Sequence, residues 1–434
     1  MKQETIFALS SGAPPAGVAV IRISGPAVRF GLETLVGAVP APRQAALRTL
    51  RDGDGSPIDR GLVLYFPGPE SFTGEDVAEL QLHGGRAIVA AILGRLGKLP
   101  GYRPAEAGEF TRRAFLNGKH DLTEVEGLAD LIAADTEGQR RQAQAIASGG
   151  LSRLLEDWRY RLLEVRALIE AELDFSDEDD VPDAVGTAAL ADADRIAREM
   201  DALLSTSAWG ERVRDGFEVV LMGAPNVGKS SLLNALARRE AAIVTPEPGT
   251  TRDMIEVHLE IGGQAVTLID TAGLREAENL VEQEGIARGR RRSTAADLVL
   301  LLDDGLEPVP VAPEGRVALR VRTKSDLFET GRGSDPAAID VSVVTGAGLE
   351  GLRERIAALL EFGIPRPSVL VTRERQFVGI AAARDALRAA AAGGAPELVA
   401  EQLREAADAL GRVTGRTNVE ELLGVIFSAF CIGK

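Results

Sequence analysis

The sequence Gly223-Ala-Pro-Asn-Val-Gly-Lys-Ser230 fits the phosphate-binding loop pattern G-x-x-x-x-G-K-[ST] at every position. An apolar run over residues 217–222 precedes it and predicts a buried strand, and a helical run begins at Ser231. This strand–loop–helix context distinguishes a phosphate-binding loop from an ordinary glycine-rich turn, which is the alternative interpretation. In such loops backbone N–H groups surround phosphate oxygens, the lysine (Lys229) reaches the β- and γ-phosphates, and the next hydroxyl (Ser230) binds Mg²⁺. The stretch predicts a doubly wound α/β nucleotide-binding domain.

Later segments indicate that the nucleotide carries guanine. The predicted strand over residues 266–270 ends in Asp270, an acid placed to organise the Mg²⁺ shell. Thr323-Lys-Ser-Asp326 matches the guanine-reading pattern N-K-x-D, except that Thr323 replaces Asn. The Asp326 carboxylate can accept two hydrogens from the guanine edge, and it rejects adenine because adenine presents a different pattern there. Residues 342–346 replace the usual S-A-K loop, with Val344 at the lysine position.

Two further segments complete the predicted nucleotide site. Thr245-Pro-Glu-Pro-Gly-Thr-Thr-Arg-Asp253 supplies the threonines of a switch segment, and Thr271-Ala-Gly273 follows the acid, where the Gly273 N–H can meet the γ-phosphate. The order and spacing of these pieces are more specific than any one of them. The predicted nucleotide-binding residues are Asn226, Val227, Gly228, Lys229, Ser230, Ser231, Thr245, Pro246, Glu247, Pro248, Gly249, Thr250, Thr251, Asp270, Thr271, Ala272, Gly273, Thr323, Lys324, Asp326 and Ser342.

The composition limits the classes of protein to which the chain can belong. The 434 residues are 45% hydrophobic and 26% charged, which is typical of folded domains, and the length suggests about three of them. The net charge of −16 argues against a protein that coats nucleic acid by bulk electrostatics. The single cysteine, Cys431, excludes an internal disulfide framework and does not fit a prenylation signal. We expect it to be packed or site-lining, and the alternative is a reactive thiol. With no apolar run of membrane-spanning length and no signal-peptide pattern at the start, we expect a cytoplasmic location without membrane association.

The pattern along the chain predicts a multidomain α+β and α/β protein. Residues 1–119 hold 14 Lys/Arg against 11 Asp/Glu and form the least acidic part of the chain. Strands are predicted there over residues 18–24, 61–66 and 77–83, and a helix over residues 87–96. Helical periodicity follows, with Leu151, Leu154, Leu155, Trp158, Leu162, Val165 and Ile169 on one face. We predict a strand-rich domain over residues 1–119, a helical domain in two parts over residues 120–215 and 366–434, and a GTPase domain inserted between them over residues 216–365.

Several motifs outside the GTPase domain carry a family resemblance along nearly the whole chain. They are Gly17-Val-Ala-Val-Ile-Arg-Ile-Ser-Gly25, Ser71-Phe-Thr-Gly-Glu-Asp-Val77, His83-Gly-Gly85, Gly108-Glu-Phe110, Arg113-Ala-Phe-Leu-Asn117 and Cys431-Ile-Gly-Lys434. Together with the GTPase domain they resemble the MnmE (TrmE) family of tRNA modification GTPases. The resemblance implies that the N-terminal domain forms a homodimer and binds 5-formyltetrahydrofolate or a related folate. It places the folate-binding role on Arg22, Glu79, Lys119 and Lys434. The alternative for any one of these residues is an ordinary side chain on a solvated face.

The same resemblance implies a reaction and a partner. An FAD-containing MnmG-type protein joins the dimer in a heterotetramer or larger complex. The complex attaches an aminomethyl- or carboxymethylaminomethyl-type group to C5 of the wobble uridine in certain tRNAs. A different class of function stays open, namely a regulatory GTPase switch in ribosome assembly without modification chemistry. The GTPase domain alone does not separate the two, but a folate site would, because an assembly switch has no use for a folate.

Hydrolysis needs a group other than the usual glutamine, because Leu274 follows Thr271-Ala-Gly273 and can neither orient water nor stabilise charge. The resemblance gives the water-orienting catalytic role to Glu282; the alternative is a solvated acid in a charged run. It also implies a K⁺ ion in place of an arginine finger, a group that contributes roughly 10³–10⁵ in rate. The predicted ligands are Asn226, Thr245, Glu247 and Thr250 for K⁺, and Ser230 and Thr251 for Mg²⁺.

Overall fold

The computed structural model describes residues 4–174, 184–239, 255–270, 294–306, 308–327, 337–361 and 370–417, with 423–424, 426–427, 430 and 433. The chain divides into two compact units, one made of residues 1–129 and 410–434 and the other of residues 130–409. The predicted domain boundaries at residues 119, 215 and 365 remain predictions.

The first unit is built on a six-stranded mixed sheet. Its strands are β1 (Thr5–Leu9), β2 (Ala16–Ser24), β3 (Ala46–Arg51), β4 (Pro57–Phe66), β5 (Val77–Gly84) and β6 (Tyr102–Pro104). The order across the sheet is β3-β4-β5-β2-β1-β6. Only the β1–β6 pair is parallel, and the other neighbours are antiparallel. The three strands predicted in this region correspond to β2, β4 and β5.

The two faces of this sheet are covered differently, because alternate strand residues point to opposite sides. Helices α1 (Val28–Val36) and α2 (Arg86–Leu96) pack on one face, over a core that includes Ile21, Leu80 and Val63. On the other face, Phe110 of helix α3 (Glu109–Leu116) packs on Ile6 and Ala8 of β1. This second face carries Arg22 and Glu79.

Helix α4 (Leu122–Ala133) brings the end of the chain into the first unit. Leu122 and Val125 form a buried apolar cluster with Leu423, Phe427 and Phe430. Gly433 lies against the end of β1, where the Ser10 hydroxyl donates a 2.8 Å hydrogen bond to the Gly433 carbonyl. The C-terminal residues are therefore part of the strand-rich unit.

The second unit contains a group of long helices. They are α5 (Glu137–Ala147), α6 (Gly150–Asp174), α7 (Ala184–Leu204), α8 (Ser207–Asp215), and, later in the chain, α11 (Glu374–Ala391) and α12 (Pro396–Thr414). Helix α6 buries the predicted apolar stripe, including Trp158 at 1% exposure. Leu154 is an exception: it is half-buried, since it precedes Leu155 and lies on the flank of a stripe that follows three- and four-residue spacing.

The GTPase domain of the second unit is a six-stranded sheet with flanking helices. Its strands are β7 (Phe217–Met222), β8 (Ile255–Ile261), β9 (Gln264–Asp270), β10 (Leu298–Asp303), β11 (Ala318–Arg322) and β12 (Ala338–Asp340). The order is β12-β11-β10-β7-β9-β8, parallel except for the edge strand β8. Helices α9 (Lys229–Arg239) and α10 (Leu349–Glu361) share its main core, and a second buried cluster lies on the opposite face. The predicted fold class is confirmed.

A close contact joins this sheet to helix α5. The Gly138 N–H donates a 2.8 Å hydrogen bond to the carbonyl of Gly263, in the turn of the β8–β9 hairpin. A Cβ on Gly138 would lie 2.8 Å from that same oxygen, so the backbones can approach this closely only with glycine there. Next to it, the Gln139 side chain donates to the Arg214 carbonyl over 2.8 Å.

Candidate functional site

The phosphate-binding loop joins β7 to α9, as the motif requires. Gly223 lies where a Cβ would come within 2.9 Å of the Leu302 carbonyl, so the loop packs closely on β10. Asn226 and Gly228 adopt positive φ angles of 61° and 103°. These left-handed conformations turn successive N–H groups toward one concavity, which is the geometry that binds phosphate. Asn226 and Ser230 are exposed, while Val227 and Lys229 are buried.

The Lys229 ammonium lies within its own loop. Lys229 is the first residue of α9 and is only 6% exposed. Its ammonium donates hydrogen bonds to the Gly223 and Ala224 carbonyls at 2.7 and 2.8 Å. These two carbonyls offset the cost of burying the charge. The arrangement keeps a positive charge at the N-terminus of a helix, where an anion is already favoured.

Ser230 and Asp270 come together on adjacent elements. The Ser230 hydroxyl donates a 2.6 Å hydrogen bond to Asp270 Oδ2, and Asp270 is fully buried at the end of β9. A hydroxyl and a carboxylate side by side are hard oxygen donors, which are the ligands that Mg²⁺ prefers. The predicted pairing of these two residues around Mg²⁺ therefore fits the donor set.

The base-recognition segment is tied to the phosphate loop through Thr323. Its hydroxyl donates to the Val227 carbonyl over 2.6 Å, and its N–H donates to the Asp303 carbonyl over 2.8 Å. Thr323 is 2% exposed, so this bond is shielded from water. The residue at the position where the motif has Asn thus links the two halves of the nucleotide site.

Asp326 and Ser342 lie together in the other part of the predicted base pocket. The buried Ser342 hydroxyl donates to Asp326 Oδ1 over 2.5 Å, which orients an exposed carboxylate. Lys324, at a φ of 57°, pairs with Asp304 over 2.8 Å, and this hydrogen bond lowers the pKa of the Asp304 carboxyl. Val344 is 86% exposed and supplies no polar group to the base loop.

Part of the predicted site lies outside the described residues. This applies to Glu282, Thr245, Pro246, Glu247, Pro248, Gly249, Thr250, Thr251, Thr271, Ala272, Gly273 and Lys434. Their predicted roles remain predictions.

In the first unit, Arg22 and Glu79 face each other across β2 and β5. Two nitrogens of the Arg22 guanidinium donate to Glu79 Oε1 at 3.1 and 2.9 Å, and both side chains are about four-fifths buried. The guanidinium lies 5.3 Å from the Phe72 ring centre and 5.9 Å from that of Phe110. These two residues are therefore a buried pair and not two solvated strand side chains.

Lys119 lies on a different element from the Arg22–Glu79 pair. It follows α3, and its N–H donates to the Ala114 carbonyl over 2.9 Å. Its side-chain stem lies beside Gly74, where an added Cβ would come within 3.4 Å of Lys119 Cγ. The loop that contains Phe72 and Gly74 thus packs beside Lys119.

A charged network around this loop was missed from the sequence. Arg113 donates to Glu75 at 3.0 Å and to Glu109 at 3.0 Å, and Arg103 donates twice more to Glu109. Burial would raise the pKa of the Glu109 carboxyl, but hydrogen bonds from Arg103, the Glu106 amide and Arg113 outweigh it and lower the pKa to about 2. Glu75, Glu109 and Arg113 all lie in the motifs quoted for the family resemblance, which was the one available signal.

Comparison with known families covers nearly the whole chain. The family model "GTP-binding protein TrmE N-terminus" matches residues 5–119, and the model "MnmE helical domain" matches residues 122–431. The tRNA modification GTPase MnmE of Azorhizobium caulinodans is 55% identical over 99% of both chains. The chain belongs to the MnmE family. The protein of the same name from Rhizobium etli is 53% identical over the full length of both chains.

Membership of the MnmE family confirms the predicted resemblance and the predicted class of enzyme, a GTP hydrolase. Among solved structures, the G domain of the T. maritima FeoB iron transporter is similar over 33% of this chain and 98% of its own, at 29% identity and a TM-score of 0.26. Within the part of the chain that the structure describes, no helix is both long and apolar enough to cross a membrane.

Proposed function

We propose that this MnmE-family chain is a K⁺-activated GTPase that acts with an FAD-containing MnmG-type partner on certain tRNAs. The pair attaches an aminomethyl- or carboxymethylaminomethyl-type group to C5 of the wobble uridine, and a tetrahydrofolate supplies the one-carbon unit. The observation that carries the proposal is the coexistence of two sites in one chain. A guanine-nucleotide site is organised around Thr323 and Ser230, and a buried cation–carboxylate pair, Arg22–Glu79, lies in a separate unit.

The nucleotide site supports GTP as the substrate. Asp326 is exposed and the Ser342 hydroxyl orients its carboxylate, so the carboxylate can accept hydrogens from a guanine edge. Lys229 supplies a buried positive charge for the phosphates, and Ser230 with Asp270 supplies oxygen donors for Mg²⁺. An adenine would leave the Asp326 carboxylate without the two donors that it requires.

Potassium activation rests on Asn226 and on the switch residues Thr245, Glu247 and Thr250. Asn226 is exposed, has a positive φ and lies in the phosphate-binding loop, so its side chain is close to where a cation beside the phosphates would bind. K⁺ bound there supplies the positive charge that an arginine finger supplies in other GTPases. Glu282 orients the attacking water in this proposal.

The folate site uses Arg22, Glu79, Lys119 and Lys434. A carboxylate suits the donor-rich edge of the pterin ring, and cations suit the glutamate tail of the ligand. Arg22 and Glu79 are already partly desolvated and paired, so little ordering remains to be done when a ligand with its own donors and acceptors replaces part of their pairing.

An open apolar surface on the same sheet face supports the homodimer. Leu47 and Leu62 pair across β3 and β4, and Val18 lies further along β2; they are 49%, 39% and 56% exposed. Branched apolar side chains in one exposed patch of a sheet favour coverage by a second surface, and a second copy of the chain provides a symmetric one. The patch adjoins the Arg22–Glu79 pair. Because tRNA is the proposed substrate, a cytoplasmic location is part of the proposal.

The direct test is nucleoside mass spectrometry of tRNA from cells that lack the protein. The C5-modified wobble uridines should disappear and return with the intact gene, but not with the Lys229→Ala variant, which cannot bind phosphate normally. Unchanged tRNA nucleosides together with abnormal ribosomal subunit profiles would favour the assembly switch and contradict the modification function.

A further inference from the structure

A network of charged side chains, most of them buried, runs through the first unit beside the proposed folate site. It leads from Arg103 through Glu109 and Arg113 to Glu75, with consecutive hydrogen bonds of 2.6 to 3.0 Å. The side chains of Glu109, Arg113 and Glu75 are 8–10% exposed. Burying several charges is costly and stabilises a fold less than an apolar core of the same volume would. Stability alone therefore does not account for this network, and its Glu75 end suggests a further role.

The Glu75 end anchors a loop onto strand β2. Ser24 donates to Glu75 Oε2 over 2.6 Å, and its hydroxyl lies 2.7 Å from that of the fully buried Thr73. Ser24 is two residues from Arg22 on the same strand, so both side chains point to the same face of the sheet. The loop of residues 71–76 is thereby fixed between Arg113 of α3 and the strand that carries Arg22.

This loop contacts Arg22 and also the turn that precedes Lys119. Its Phe72 ring lies 5.3 Å from the Arg22 guanidinium, within the range of a cation–π contact. Its Thr73 carbonyl accepts a 2.7 Å hydrogen bond from the Asn117 side chain, two residues before Lys119. The loop position therefore affects the orientation of Arg22 and the turn that presents Lys119.

We propose that Glu75 and Arg113 are positioning residues of the folate site, which act through the Phe72 ring on Arg22. The inference rests on the proposed folate function. The Phe72 ring holds the guanidinium in the plane in which it meets Glu79, so both groups are oriented before a ligand arrives. The Glu75–Arg113 pair fixes the loop that carries the ring. Without this pair the ring is free to leave Arg22, and the ligand must order both groups on binding.

The experiment is calorimetry of 5-formyltetrahydrofolate binding to the full-length protein and four variants. Phe72→Leu and Glu75→Gln should each weaken binding roughly fivefold, in line with the loss of one cation–π contact. The double variant should bind no more weakly than Glu75→Gln alone, because both changes remove the same interaction. Glu4→Gln is the matched control: it meets only the far end of the network, through Arg103, and should bind like wild type.

The double variant separates positioning from general destabilisation. Losses that add in the double variant, or full affinity in folded Glu75→Gln, would overturn the inference while leaving the folate site intact. Failure of the wild-type protein to bind the folate would instead overturn the proposed folate function together with the inference. Should Glu75→Gln not fold, Ser24→Ala removes the hydrogen bond that ties Glu75 to β2 without removing a charge; it should loosen the same loop and give a loss of similar size.

Discussion

The hydroxyl of Thr323 donates a 2.6 Å hydrogen bond to the main-chain carbonyl of Val227. Thr323 belongs to the predicted base-recognition segment and Val227 to the phosphate-binding loop. The bond therefore fixes the distance between the two ends of the predicted nucleotide site. Thr323 stands where the guanine-reading motif has Asn, and its hydroxyl is the donor of this link.

We expect Thr323→Val to weaken GDP and GTP binding roughly tenfold, because it leaves the buried Val227 carbonyl without its donor. The preference for guanine over adenine should remain, since Asp326 is untouched. Titration with fluorescent GDP measures both. Thr323→Ser keeps the hydroxyl and should bind almost like wild type; equal loss in both variants would contradict the role of the hydrogen bond.

Asp326→Asn should shift the preference from guanine toward xanthine nucleotides. The carboxylate accepts two hydrogens from guanine, while an amide offers one acceptor and one donor, which match xanthine. Competition between GTP and XTP in a hydrolysis assay measures the shift. Ser342→Ala is the companion variant: it should lower the affinity for GTP without changing the ranking of bases. Wild-type protein that binds ATP as tightly as GTP would contradict the role of Asp326 in selecting guanine.

Removing the Asn226 side chain should abolish the rate difference between KCl and NaCl. Because Asn226 has a φ of 61°, Asn226→Ala adds backbone strain, whereas Asn226→Gly removes the amide without strain. The glycine variant should therefore bind GTP normally and hydrolyse it at least about tenfold more slowly in KCl than wild type, since it lacks the charge that substitutes for an arginine finger. A wild-type rate that is the same in both salts would remove K⁺ from the mechanism.

Glu109 should make stability depend on pH in the acid range. Its pKa is lowered from 4.5 to about 2, so its ionised form stabilises the folded state above pH 4.5, and this stabilisation is lost as the pH falls toward 2. Scanning calorimetry should find Glu109→Gln less stable than wild type at pH 6, with a difference that shrinks as the pH is lowered to 3. A difference that stays constant over this range would show that the carboxylate charge is not involved. Glu33→Gln, an exposed acid on α1, is the control and should follow wild type.

The central strand of the GTPase domain was predicted to the residue, and the shortest strands were not predicted at all. Strand β7 is buried on both faces, so it reads as a continuous apolar run with clear ends. Strands β6 and β12 have three residues each, too few for any periodicity to appear. Strands β1, β3 and β8, of five to seven residues, were also not predicted.

For the sites, motifs located the nucleotide residues, but they did not indicate how those residues are linked. The pairs Ser230–Asp270 and Thr323–Val227 join positions 40 and 96 residues apart. The partners of Glu75 and Arg113 also depend on which loop lies over which strand. Such contacts are set by tertiary packing and leave no local pattern, so only the presence of these residues could be inferred beforehand.

The hydrogen bond between Gly138 and Gly263 has a mechanical consequence. The β8–β9 hairpin ends at Asp270, which accepts a hydrogen bond from Ser230, a predicted Mg²⁺ ligand, and its turn is held by helix α5. The turn cannot move away from α5 without breaking this hydrogen bond, and the close approach at Gly138 leaves little room for it to move nearer. The β8–β9 hairpin therefore connects the Ser230–Asp270 pair at one end with helix α5 at the other.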